Sequence, residues 1–193
     1  MFLKLTLSLL LWIGCYTSTY ALLYTEAPNA DYVILRGGEK FLGRIINNNN
    51  GKLKAIKFEH LNGEEVLFSH EDLEAYGYRG GKQYVKIDLP HSDQKAFLQV
   101  IFSGSFTLLH QRNTFYISNS DEVFELKRRF PEEKSNYVPP YKRPYTGILK
   151  VLLAGRCGYE LDDRITGTKL RKSSLIDTLT RYHQCEDLSY QIY

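Results

Sequence analysis

Two cysteines bracket the stretch that most restricts how this chain can fold. The segment YTGILKVLLAGRC ends at Cys157, and SSLIDTLTRYHQC ends at Cys185. Ile148, Leu149, Leu152 and Leu153 fall on one helical face, as do Leu175, Ile176, Leu179 and Tyr182. The spacing predicts two helices within 145–185, tied by a Cys157–Cys185 disulfide and docked on the structure that precedes them.

That disulfide depends on the compartment. Lys4 gives a positive start, Leu5 to Ile13 is mostly apolar, and Thr19 and Ala21 stand three and one before a cut after Ala21. This pattern reads as an export signal over 1–21. The apolar run falls short of the roughly 20 residues a membrane-spanning helix needs. A competing pattern is a lipoprotein signal ending at Cys15, with Gly14 before it, although Trp12 stands where leucine is usual. Under either pattern two of the three cysteines remain, and an even remainder in an exported chain favours pairing. The expected location is the periplasm or the cell surface.

The mature chain, 22–193, has the length of one domain, and at 43% hydrophobic it can bury a core. Its first part is punctuated by turns. Gly37-Gly38, Asn50-Gly51 and Asn62-Gly63 separate Tyr32–Arg36, Glu39–Ile46, Lys54–Glu59 and Glu65–Ser69, a four-stranded meander. Ser69-His70-Glu71-Asp72 carries the signature of a short helix start. Tyr84–Leu89, Lys95–Phe102, Phe106–His110, Thr114–Ser118 and Glu122–Lys127 then form further strands, so 32–127 is β meander. Pro131, Pro139, Pro140 and Pro144 make 131–144 a connector without regular structure. The fold class is α+β: an antiparallel sheet of about seven or eight strands, curled into a roll or barrel-like sandwich, with two C-terminal helices packed on it.

Catalytic patterns fail one by one. Gly80-Gly81-Lys82 lacks both the distal glycine and the following Ser or Thr of a phosphate loop, so it reads as a turn. His60, His70, His91, His110 and His183 make neither an HExxH motif nor a metal-spaced set with cysteines. His183 lies two residues before Cys185, a thiol–imidazole spacing, but a disulfide would remove the nucleophile. Adjacent acids Glu64-Glu65 point to opposite faces of a strand, and Asp162-Asp163 reads as a turn. No cofactor, metal or catalytic residue is expected.

Charge and aromatic content bound the partners. The net charge of +3 does not describe a nucleic-acid surface. Lys127-Arg128-Arg129 and Arg171-Lys172 read as solvated faces, with a phosphate or lipid-headgroup contact as the alternative, so peripheral membrane association stays open. With 15 Tyr and 10 Phe, aromatic clusters are the best binding candidates. Tyr76, Tyr78 and Tyr84 surround the glycines, and Tyr137 and Tyr141 line the proline connector. Such rings can stack on sugars or anchor a protein, or simply cover the core with hydroxyls in water.

The order of motifs also resembles a known group. Gly43-x-Ile45, Ile56-x-Phe58, Asp72-Leu73-x-x-Tyr76, the meander from Phe97-Leu98 to Tyr116, Leu175-x-x-x-Leu179 and Tyr182-x-x-Cys185 are similar to uncharacterised exported proteins of Bacteroidota. In many of these a similar domain precedes an outer-membrane β-barrel. The resemblance covers nearly all the mature chain and transfers no catalytic residue. With the chain running to Tyr193, a barrel is not expected in it. Three functional readings follow: an exported envelope module that binds a protein or glycan without catalysis, a secreted hydrolase or carbohydrate-binding protein using Tyr76–Tyr84, and a thiol redox protein.

Overall fold

The computed structural model describes residues 29–47, 55–120, 122–128, 139 and 142–193. The expected leader over 1–21, with Cys15, and Tyr137 and Tyr141 of the connector lie outside the described residues. The architecture is α+β. Strands β1 (Asp31–Leu35), β2 (Lys40–Asn47), β3 (Ala55–His60), β4 (Glu65–Ser69), β5 (Leu73–Gly77), β6 (Gln83–Asp88), β7 (Lys95–Ser103), β8 (Thr107–Gln111), β9 (Thr114–Ser118) and β10 (Val123–Leu126) come first. Helices α1 (Pro144–Leu152), α2 (Arg156–Glu160), α3 (Asp162–Gly167) and α4 (Lys172–Cys185) follow, then β11 (Gln191–Ile192).

All strands join one antiparallel sheet, in the order β10-β9-β8-β7-β6-β5-β1-β2-β3-β4, with β11 on β7. Among the described residues the sheet has 11 strands, more than the seven or eight expected. Two come from segments not read as strands. The Ser69–Asp72 capping pattern closes a turn rather than starting a helix: the Ser69 N–H and hydroxyl both donate to Asp72 Oδ2, and Asp72 N–H returns to Ser69 O at 3.2 Å. The chain then enters β5, where Leu73 pairs with Leu35 and both Leu73 and Tyr76 are buried. Burial against β1 outweighs the local helix signal. The tail strand β11 carries no pattern of its own and exists through pairing with Ser103 and Phe102.

The link from β4 to β5 sets the curvature. β5 lies four ladder steps from β4 along the sheet order. In a flat sheet that separation is about 19 Å. Only residues 70–72 join the two strands, and Ser69 to Leu73 can span at most about 15 Å. The sheet therefore curls, helped by register shifts at Ile34/Leu35 and Ile45/Asn47, since bulges bend and twist a strand. Val33, Ile56, Phe58, Phe68, Leu73 and Tyr76 fill the inside of the curl. The path stays open: among the described residues β4 and β10 end it without pairing to each other.

Strand β7 passes from this curl to the helical layer. Leu98 and Val100 point to one sheet face, in a cluster with Tyr32, Val85 and Leu109. A register shift between Val100 and Phe102 then turns Ile101 and Phe102 together towards the helices. There they join Leu108, Phe115 and Ile117 in the cluster that holds Leu149, Leu153, Leu175, Leu179 and Tyr182.

The two expected helical faces are the buried ones, but the first helix is divided into three. Pro144 fixes the first turn of α1. The chain then turns at Gly155, whose φ of +125° disfavours any side chain. Gly158 packs directly on the Leu153 carbonyl. Asp162-Asp163, expected in a turn, opens α3, where Asp162 accepts an ion pair from Lys150 at 2.6 Å. The Tyr145 hydroxyl, wholly buried, donates to Thr168 O at 2.6 Å and so ties α1 to the end of α3.

Cys157 and Cys185 form the disulfide, with Cα atoms 5.8 Å apart, clamping α2 to the end of α4. It closes a loop with a sequence separation of 28. Removing it frees the unfolded chain, at a cost of about 3–4 kcal/mol by loop-closure entropy. Cys157→Ser with Cys185→Ser should lower the urea-unfolding free energy by that amount, and reduction of the native protein should reproduce the loss. An unchanged midpoint in both would show that packing alone holds the helices.

Candidate functional site

The most elaborated polar site lies where the β7–β8 turn, the end of α4 and the tail meet. Leu175, Leu179, Tyr182 and His183 share the buried face of α4, and helical spacing thereby puts an imidazole in the core. His183 has no exposed surface. Its Nδ1 lies 2.8 Å from Leu179 O, and a carbonyl only accepts, so Nδ1 carries the proton. Nε2 is then an acceptor, 3.0 Å from both the N–H and the hydroxyl of Ser105. Rings of Phe102, Phe106, Tyr182 and Tyr190 surround the imidazole. Burial pushes its pKa down, partly offset by the Leu179 carbonyl.

The turn and tail are fitted to this histidine. A Cβ on Gly104 would collide with His183 Nε2, so only glycine admits the imidazole there. Leu188 N–H returns to His183 O at 2.8 Å, Tyr190 stacks on Phe102 with centroids 5.6 Å apart, and Tyr193 N–H reaches Ile101 O. Outside the turn, an open groove of about 440 Å³ is lined by Gly104, Ser105, Leu188, Ser189, Tyr190 and Gln191.

A serine hydroxyl beside a neutral imidazole with an oriented Nδ1 has the outline of a nucleophile–base pair. The second contact decides against it. Nε2 has one in-plane lone pair, and the fixed Ser105 N–H already lies on it. An Nε2 that took the serine proton would face that N–H donor to donor. The geometry anchors a turn. Its sequence signal is half legible: His183 falls on the apolar face of α4, but nothing marks Ser105, 78 positions away.

Three of the expected binding residues, Tyr76, Tyr78 and Tyr84, come together in one cluster. Tyr76 is 3% exposed and stacks on Tyr84 at 4.8 Å, with Tyr78 edge-on to both. Phe97 and His70 extend the cluster, and Lys86 Nζ lies over Phe97 while donating to Glu71 O. Burial raises the pKa of all three tyrosines, so they stay protonated. Tyr76 is thus core, and Tyr78 and Tyr84 are half-buried beside it. Gly80-Gly81-Lys82 is a turn, with Gly81 at φ +85° and Tyr78 N–H bonded to Lys82 O. Cys185 Sγ lies 3.6 Å from Glu160 Oε2, and Glu186 accepts from Cys157 N–H. As a disulfide these sulfurs offer no thiolate to a metal.

The outward face of β2–β4 is exposed and mixes leucines with ion pairs. On β2 and β4 and in the turn between β3 and β4, Leu42 is 44% exposed, Ile46 40%, Leu61 77% and Leu67 69%. Ion pairs Arg44–Glu59 at 2.7 Å and Lys57–Glu65 at 2.6 Å run across the same three strands. No helix of the described residues is long and apolar enough to cross a membrane.

No family model, curated protein or solved structure matches this chain.

The histidines carry a pH signature. His183, His70 and His110 all have lowered pKa values, each chiefly through burial. Unfolded imidazoles titrate near about 6.5, so as pH falls below that the unfolded state gains protons first. The stability they protect is complete above about pH 6.5 and is lost on acidification. Urea unfolding from about pH 7 to pH 5 should show a falling midpoint. His183→Gln should be weaker at neutral pH and show a shallower slope; an identical slope would assign the effect to His70 and His110.

Proposed function

We propose that this chain is an exported envelope module that binds a protein partner without catalysing a reaction. The carrying observation is the exposed face of β2–β4. Large aliphatic side chains held open on one side of a sheet are the composition of a contact surface, with the Arg44–Glu59 and Lys57–Glu65 pairs as its charged component. Aliphatic residues suit packing against protein better than stacking on a sugar. Tyr76, which would favour a glycan reading, is buried. The disulfide supports an oxidising compartment, in line with the leader pattern over 1–21.

Site-specific photocrosslinking in the native host tests this. A photoreactive residue at Leu67 should give a discrete adduct, and one at Val151, exposed on α1, should not. Leu42→Asp with Leu61→Asp should remove the Leu67 adduct while shifting the thermal midpoint little, because both side chains are already exposed. Adducts at Val151 and none at Leu67 would overturn the assignment.

A further inference from the structure

We propose that two copies of this chain pair through their β4 edges, antiparallel, with Val66 of one copy opposite Val66 of the other. The inference goes beyond the partner-binding reading and does not depend on it. It begins with the main chain. Among the described residues β4 ends the sheet path, and its register with β3 pairs Ile56 with Phe68 and Phe58 with Val66. His60 N–H donates to Glu64 O across the same hairpin. Antiparallel pairs alternate between bonded and non-bonded, so Val66 and Phe68 use their amides and carbonyls on β3. Those of Glu65 and Leu67 point away from β3, along the open edge. Ser69 is already satisfied, since its N–H and carbonyl both bond within the Ser69–Asp72 turn.

Such an edge specifies an extended peptide as its occupant. A second β4 fits in one register. Centring the two-fold axis on Leu67 would require main-chain bonds from Ser69, which the turn holds. Centring it on Val66 sets Glu65 opposite Leu67 in both rows, and every outward N–H and C=O of these two residues finds a partner. No carboxylate directly faces another. Lys57, paired with Leu67 on β3 and ion-paired to Glu65 of its own copy, lies in the same cross-sheet row as Glu65 and Glu59 of the other copy, so each row carries a lysine as well as the incoming glutamates. On the opposite face the two half-buried Val66 side chains meet beside Phe68. A self-complementary patch of this kind is what a two-fold dimer requires. The strand has only 5 residues, so the contact is small and the association concentration-dependent.

The purified oxidised protein is sufficient for the test. Sedimentation velocity over a concentration series should show a monomer–dimer equilibrium. Val66→Cys should crosslink to a dimer under mild oxidation, because a non-bonded antiparallel pair brings its side chains together, while Val151→Cys should not. Leu67→Glu places carboxylates directly opposite each other in both rows and should weaken the dimer about ten-fold. Leu67 is exposed, so that variant keeps the fold. A monomer at every concentration overturns the proposal. So does a dimer that Leu67→Glu leaves intact and Val66→Cys fails to trap, since another face would then hold it together.

Discussion

Three residues between β4 and β5 set the shape of the sheet. β1 and β3 run parallel to each other across β2, and β4 and β5 are each antiparallel to one of them. The chain must therefore continue in one ladder direction while moving several strands across. A short link permits this only if the sheet folds over, so that β4 and β5 become the two arms of a corner. The inward face of that corner collects Phe58, Phe68 and Tyr76, and the outward face of β2–β4 is left uncovered. The exposed outward face and the β4 edge both follow from this bend.

β7 connects the two halves of the molecule. Its first residues pack Phe97 into the corner, its middle residues fill the opposite face, and its last residues face the helices. One bulge at Ile101 produces the last change. The same end of β7 carries β8 on one side and the tail strand β11 on the other, with His183 beneath the turn. A single strand thus ties the corner, the helical layer and the tail to each other.

The sequence showed features with short-range causes. The Gly37-Gly38 and Asn62-Gly63 turns marked strands of the first meander, helical spacing gave the buried faces of α1 and α4, and cysteine parity gave the disulfide. It misled where distant pairing overrode a local signal. Ser69–Asp72 makes the bonds of a helix cap, yet β1 recruits the next residues as a strand. The break of α1 follows from Gly155 and Gly158, whose need shows only against Leu153 in space. The tyrosine cluster was visible as composition, but which ring faces inward depends on strand parity in β5 and β6. Ser105 and His183 meet across a separation of 78 that no local pattern records.

The tail beyond Cys185 is held by a two-residue ladder, by Tyr190 on Phe102, and by Lys172 donating to the Tyr193 carbonyl. Tension applied at Tyr193 would unzip these contacts in turn and then arrive at the covalent bridge. From there the load divides between the α4 backbone and Cys157, and the chain between the two cysteines cannot be drawn out. The bridge therefore acts as a mechanical stop within the helical layer: a tug on the tail peels a short strap, and the loop between the two cysteines stays closed.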